Sequence, residues 1–335
     1  TAARVPYDGT PQLKDIRDLK TRLWATPMKP LHVTTPLWRS EPLSAALGDA
    51  VYLKMEAFQP VGSFKVRGIG YACQVHHEKG AKRLIASSGG NAGYAVAYAG
   101  RMLGMEVTVF VPQSTPTWMR EIIRREGATV IEHGASWDDA HAHASEVARR
   151  EAAAYVPPFD DPLIWTGHAS IVDEVAGAGL SPEAVVLAVG GGGLLCGVLE
   201  GLHRVGWTRV PVLAVETEGA ASFARSVNAG RLVTLDRIAT VATTLGARTV
   251  ATQALSWSGK HPVTPWIVSD RAAVRACLRF ADDHRVLVEP ACGAALSAVY
   301  DRAQPLRKSG PVLAIVCGGA GVNLSLLQQW AHQFL

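Results

Sequence analysis

Short apolar runs alternating with longer amphipathic segments dictate what this chain can become. Arg83-Leu84-Ile85-Ala86 precedes a helical pattern through Met102, Val107 to Val111 precedes Thr117 to Glu126, and Thr129-Val130-Ile131 precedes the histidine-rich stretch Trp137 to Ala152. The rhythm resumes with Ala184 to Val189, Val212 to Val215, Trp266 to Val268, Val286 to Val288 and Val312 to Val316, each followed by a helical pattern. Strands apolar on both faces are covered on both faces, and strands separated by helices pair in parallel. The prediction is an α/β protein of two domains with open, mostly parallel, twisted sheets. At 335 residues and 48% hydrophobic, the chain can fill two cores that share one cleft.

Pro157-Pro158 and Asp161-Pro162 interrupt the rhythm and mark the return from an inserted domain. The expected division is a small domain over residues 60–162 and a large one from 1–59 plus 163–335. Residues 1–30 alternate charge and proline, which predicts an N-terminal arm or an extra helix from Pro11 to Trp24. That stretch has no signal-peptide apolar core, and no apolar run is long enough for a membrane span. Thirty-three basic against 29 acidic residues leave a dispersed charge of +4, so neither nucleic acid nor a membrane surface is the expected partner. Cys73, Cys196, Cys277, Cys292 and Cys317 show no CxxC pair and no metal-ligand spacing with histidine, as for reduced thiols in the cytoplasm. The histidines 133, 141 and 143 read as a solvated helix face.

Open parallel sheets bind ligands at the carboxyl ends of their strands. Four motifs fall there: Ser87-Ser88-Gly89-Gly90-Asn91-Ala92-Gly93, Gly190-Gly191-Gly192-Gly193, Glu216 and Cys317. Four consecutive glycines between an apolar strand and the helical Leu194 to Leu202 let backbone N–H groups wrap an anion, with phosphate the natural occupant. A plain strand-to-helix turn is the ordinary reading, but four glycines cost entropy that such a turn avoids. A dinucleotide is the rival anion, with Glu216 as its acid, and it would make the chain a nucleotide-dependent dehydrogenase. The amides of the Ser88–Asn91 loop, the Ser88 hydroxyl and the Asn91 amide suit a carboxylate, against the ordinary reading of a helix N-cap.

Lys65 stands in Gly62-Ser63-Phe64-Lys65-Val66-Arg67-Gly68-Ile69-Gly70, among glycines, an aromatic and apolar residues that a surface helix would not require. Burial lowers a lysine's pKa, and only the neutral amine attacks a carbonyl. Lys65 is the candidate nucleophile.

Ser63-Phe64-Lys65-Val66-Arg67-Gly68 resembles the cofactor-lysine motif of the fold type II pyridoxal-phosphate enzymes, the tryptophan synthase β-subunit family. The loop Ser87–Gly93, the run Gly190 to Leu195, Val288-Glu289-Pro290-Ala291-Cys292-Gly293-Ala294-Ala295 and Cys317-Gly318-Gly319 follow in the family's order and are similar to its L-serine dehydratase branch. The resemblance spans nearly the whole chain and implies pyridoxal 5′-phosphate as a Schiff base on Lys65. It implies Phe64 against the cofactor ring, Asn91 on its 3′-oxygen, Gly190, Gly191, Gly192, Gly193 and Leu194 around the phosphate, and Cys317 at the pyridine nitrogen. A thiol there moderates the electron sink and favours β-elimination. Ser88, Gly89, Gly90 and Asn91 would hold the substrate carboxylate, Gly89 standing where some relatives carry alanine. Glu216, Ala220, Leu245 and Ala247 match positions that supply a carboxylate and carbonyls to a monovalent cation, K+, in related dehydratases. The implied reaction converts L-serine to pyruvate and ammonia, and L-threonine to 2-oxobutanoate, in a homodimer. Within the family, threonine dehydratase, serine racemase and sulfhydrylase are the alternatives. Cys317 in place of serine argues against them, as does the lack of room after residue 335 for a regulatory domain. A cofactor-binding protein with little turnover is the remaining reading.

Overall fold

The computed structural model describes residues 29–307 and 310–335, so the arm or helix expected over residues 1–30 lies outside the described residues except for its last two. Leu31–Leu335 forms one compact unit. Among the described residues ten strands occur: β1 Leu37–Arg39, β2 Val51–Lys54, β3 Arg83–Ala86, β4 Glu106–Val111, β5 Thr129–Glu132, β6 Ala154–Tyr155, β7 Ala184–Ala188, β8 Val212–Thr217, β9 Val263–Val268 and β10 Val312–Ile315. They build a six-stranded sheet in the order β1-β2-β10-β7-β8-β9 and a four-stranded sheet in the order β5-β4-β3-β6. Only the β1–β2 pair is antiparallel. All four strands of the smaller sheet fall between β2 and β7 in the sequence.

Burial explains the order. Central β7 is buried at all five positions, whereas β9 at the sheet edge is only partly covered. Pro265 lies in β9, where a missing N–H costs no ladder bond on the open side. The proline at 162 opens the helix Pro162–Gly177, and the Asp161 carboxylate accepts the N–H of Leu163 at 2.7 Å to cap it. Thus the break read from sequence is a helix start. No described helix is long and apolar enough to cross a membrane.

One expected strand is absent and one strand was not foreseen. Val286 to Val288 is not a strand: Arg285 adopts a left-handed φ of 58° that ends the helix Asp270–His284, and the trio links it to the helix Pro290–Tyr300. Those two helices pack on each other, so the apolar pattern is met by burying Val288 at their junction rather than by pairing. Conversely, β6 is two residues long, too short for any periodicity to announce.

Both sheets sit in apolar cores, Leu187 and Val215 buried in one and Val109 and Leu84 in the other. Against that background a knot of buried charge stands out. Arg67 is wholly buried and donates to both oxygens of Glu56, at 2.6 and 2.8 Å, and to both of Glu174, at 2.7 and 2.8 Å. Its fifth N–H reaches the Ser170 hydroxyl at 3.0 Å. Lys54, also buried, donates to Glu174 and to the carbonyl of Thr35 at 2.7 Å. Two cations and two carboxylates leave the knot neutral.

Candidate active site

The helix Lys65–Glu78 begins at the candidate nucleophile, with Phe64 as its cap residue. The segment before it is stitched to the end of β10: Phe64 N–H donates to the Cys317 carbonyl at 3.2 Å and Gly319 N–H to the Gly62 carbonyl at 2.8 Å, with a β-bridge between Ser63 and Gly318. These bonds seat Lys65 beside Cys317. The Lys65 amine donates to the carbonyl of Pro158 at 2.5 Å and lies 5.3 Å from the Phe64 ring centroid. Among the described residues no carboxylate comes within ion-pairing distance of it. The side chain is only half-buried by surface area, yet its amine is deep enough for desolvation to lower its pKa to about 8, with Cys317 and Glu289 pulling weakly the other way.

The tetraglycine turn leaves β7 and enters the helix Gly193–Arg204, whose cap residue Gly192 takes a left-handed φ of 90°. A Cβ on Gly191 would lie 2.3 Å from the Phe159 ring, and one on Gly193 2.8 Å from the Phe159 carbonyl, so the cradle exists only without side chains. The first turn of a helix leaves its N–H groups without intrahelical partners and presents positive potential. Pro158-Phe159 therefore touches both the Lys65 amine and the glycine turn.

The loop after β3 runs into the helix Asn91–Leu103. Its Ser88 hydroxyl accepts the N–H of Gly90 at 3.3 Å. At Gly89 a Cβ would sit 2.4 Å from the Thr115 hydroxyl oxygen, so alanine there would need Thr115 to move. Asn91 is held at both ends, its Nδ2 donating to Glu289 at 2.9 Å and its Oδ1 accepting from Ala320 N–H at 2.8 Å. Glu289 also accepts from the Thr244 hydroxyl at 2.5 Å and from Gly321 N–H at 3.2 Å, while burial raises its pKa. A backbone carbonyl at Thr244 and the Cα of Leu245 would close on any Cβ at Gly190. An unbroken set of contacts thus joins Asn91, Glu289, Thr244 and Gly190.

Cys317 is buried, and its hydrogen bond with the Cys292 thiol, with burial second, raises its pKa well above the usual thiol value. It is a thiol, not a thiolate, at neutral pH. Glu216 lies in β8 and is wholly buried; its two oxygens accept the N–H groups of Phe223 at 2.8 Å and Ala224 at 2.7 Å, and burial raises its pKa to about 7. Ala220 is buried in the turn after β8, and Leu245 packs beside Gly190.

Glu289 and Thr244 escape sequence reasoning as hydrogen-bonding residues; Glu289 was visible only as part of a motif. His168 escapes it altogether. This imidazole is fully buried 4.8 Å from the Phe64 ring, and its Nδ1 accepts the Gly68 N–H at 3.1 Å, which puts the proton on Nε2. His141 departs from the solvated face expected of it: it is half-buried and hydrogen-bonded to Tyr155.

A desolvated, unpaired amine next to a side-chain-free helix N-terminus fits a phosphorylated aldehyde, and the two-sheet frame around it is that of the fold type II pyridoxal-phosphate enzymes. The chain belongs to the pyridoxal-phosphate dependent enzyme family, whose model matches residues 28–318. It is 48% identical over 315 residues to the L-serine dehydratase/L-threonine deaminase of Homo sapiens, covering 91% of this chain and 96% of that one. It is 49% identical over 317 residues to a serine dehydratase-like protein of Rattus norvegicus, covering 91% and 95%. Among solved structures, a fungal L-serine ammonia-lyase from Rhizomucor miehei superposes with a TM-score of 0.86 at 40% identity, over 92% of this chain and all of that one.

Proposed function

We propose that this protein catalyses β-elimination on small hydroxy amino acids, converting L-serine to pyruvate and ammonia and L-threonine to 2-oxobutanoate and ammonia. The observation that carries the reading is Lys65, an amine brought to a pKa of about 8 by burial and left without a carboxylate beside a glycine-lined helix N-terminus. The names of the human and fungal relatives support the same substrates.

Pyridoxal phosphate, when bound, supplies an aldehyde that condenses with amines and a conjugated ring that accepts the electron pair left at the substrate Cα. The amides of Gly190 to Gly193 and Leu194 would hold its phosphate. Asn91 gives one amide hydrogen to Glu289, and the other would be available to the cofactor's 3′-oxygen. Cys317, kept protonated, would meet the ring nitrogen as a thiol, and Phe64 would pack against the ring. The substrate carboxylate would be taken by Ser88, Gly89, Gly90 and Asn91. Lys65 would hold the cofactor, and once free as a neutral amine it would take the Cα proton. Now an ammonium, it would be able to give that proton to the β-hydroxyl, which would depart as water.

A monovalent cation, K+, is proposed at Glu216 with the carbonyls of Ala220, Leu245 and Ala247. In support, no described cationic side chain pairs with Glu216, and the buried hydroxyls of Thr217 and Ser222 lack partners. Unchanged turnover when Na+ or Li+ replaces K+ would count against it. The reading also takes 60–162 as the small domain and the flanking sequence as the large one, supported by the smaller sheet lying between residues 83 and 155. A cytoplasmic homodimer completes it, supported by five unpaired, buried cysteines and by the prevalence of two-fold assemblies, and checked by sedimentation.

The test is reconstitution with pyridoxal phosphate. L-Serine should yield equal amounts of pyruvate and ammonia, and borohydride should fix the cofactor to the peptide that contains Lys65. No pyruvate, or a label on another lysine, removes the proposal.

A further inference from the structure

We infer that Tyr155 is a positioning residue for the loop that takes the substrate α-carboxylate, acting through the hydroxyl of Ser87. The inference rests on the proposed role of Ser88–Asn91. Ser87 is the first residue after β3 and is completely buried. Its Oγ lies 2.6 Å from the phenol oxygen of Tyr155. Tyr155 ends β6, directly opposite Ile85 in the parallel β3–β6 pair, so the two hydroxyls emerge side by side at the carboxyl ends of neighbouring strands. On its other side the same phenol oxygen lies 2.6 Å from Nδ1 of His141. The imidazole is clamped in turn by Trp137, stacked at 4.9 Å and 10°.

The proton count sets the direction of this chain. Burial raises the pKa of the Tyr155 phenol, so it keeps its single proton. With the His141 proton on Nε2 its Nδ1 is an acceptor, and Tyr155 then donates to His141 and accepts from Ser87, alongside the hydrogen bond it shares with Ser145. The Ser87 proton is thereby committed toward Tyr155 and away from the loop, whose remaining donors are the amides that follow. A buried hydroxyl left without a partner is costly and would turn to the nearest loop carbonyl. That would shift Ser88 to Asn91 relative to Lys65. Thr115 against Gly89 is a steric contact and cannot replace a directed bond, and the hydrogen bonds of Asn91 to Glu289 and Ala320 hold the far end of the loop.

The cofactor-loaded protein is compared with Tyr155→Phe, Ser87→Ala and the double variant. For each, KM and kcat for L-serine are measured, and cofactor absorbance is titrated with L-alanine, which has the carboxylate but no leaving group, and with ethylamine, which has neither. Loss of one hydrogen bond should raise KM and weaken L-alanine binding about five- to tenfold in each single variant. The double variant should be no worse than either single, since both remove the same contact. Ethylamine binding and kcat should change less than about twofold. Equal weakening of L-alanine and ethylamine, a fall in kcat at constant KM, or additive effects would overturn the inference. Should the parent protein bind L-alanine but fail to consume L-serine, the proposed reaction is wrong, while the titrations still decide the role of Tyr155.

Discussion

Lys65 and Arg67 stand two residues apart at the start of one helix, both are cations taken out of water, and they have opposite fates. Burial alone would push the Arg67 guanidinium down, but bonds to Glu174 and the charge of Glu56 outweigh it and hold its pKa above the ordinary value. Every one of its N–H groups has an acceptor. On the other face of the turn, Lys65 meets a single neutral carbonyl, so burial wins and its pKa falls to about 8. Lys54 is the intermediate case, a buried lysine whose pKa is lowered by burial although Glu174 opposes the shift. Two carboxylates make a buried cation a fixed strut, and their absence leaves one with the lowered pKa that the proposed chemistry needs.

The comparison breaks most visibly at Lys65. Lys65→Ala should lower turnover of L-serine by about 10³-fold or more while leaving the unfolding midpoint unchanged or higher, because an unpaired buried amine does not stabilise the fold. Coupled loss of folding and activity would place Lys65 with the struts. Arg67→Met should do the reverse, since it leaves the two buried carboxylates Glu56 and Glu174 with Lys54, among the described residues, as their one remaining counter-charge. A destabilisation of about 3–5 kcal/mol is expected in urea unfolding, and Glu56→Gln added to it should recover part of the loss. Next in size, Gly191→Ala places a methyl against the Phe159 ring. Overpacking of about 1–3 kcal/mol should weaken pyridoxal phosphate binding roughly five- to hundredfold with the fold intact, and unchanged affinity would move the phosphate elsewhere. The smallest effect concerns pH. Lys65 has a lowered pKa, so it is protonated below about 8 and neutral above it; cofactor uptake by the apo-protein should quicken as pH rises through about 8 and then level off. Uptake that is flat in that window would mean the amine is already neutral or is not the acceptor.

Much of this was legible in the residues themselves. Alternating apolar runs foretold parallel sheets because each strand carries its own burial pattern, and the tetraglycine turn announced itself because few backbones tolerate four glycines for nothing. Val286 to Val288 misled for the same reason: an apolar trio is satisfied by any dry surroundings, and here a junction of helices supplied them. Arg67 lay inside a quoted motif, yet its partners Glu56 and Glu174 are 11 and 107 positions away. Pro158, the acceptor for Lys65, is 93 residues distant and acts through its backbone carbonyl, which no side-chain pattern can mark.

By itself, then, the chain of residues determined the order of strands and helices, the anion-ready glycine turn and a lysine suited to attack a carbonyl. Only the tertiary structure decided which buried cation would be paired and which left alone, that Glu289 would hold Asn91, and that Tyr155 would reach Ser87. The reason is that hydrogen bonds and pKa values answer to distances of a few ångströms in space. Those distances come from packing one sheet and helix against another, not from proximity along the chain.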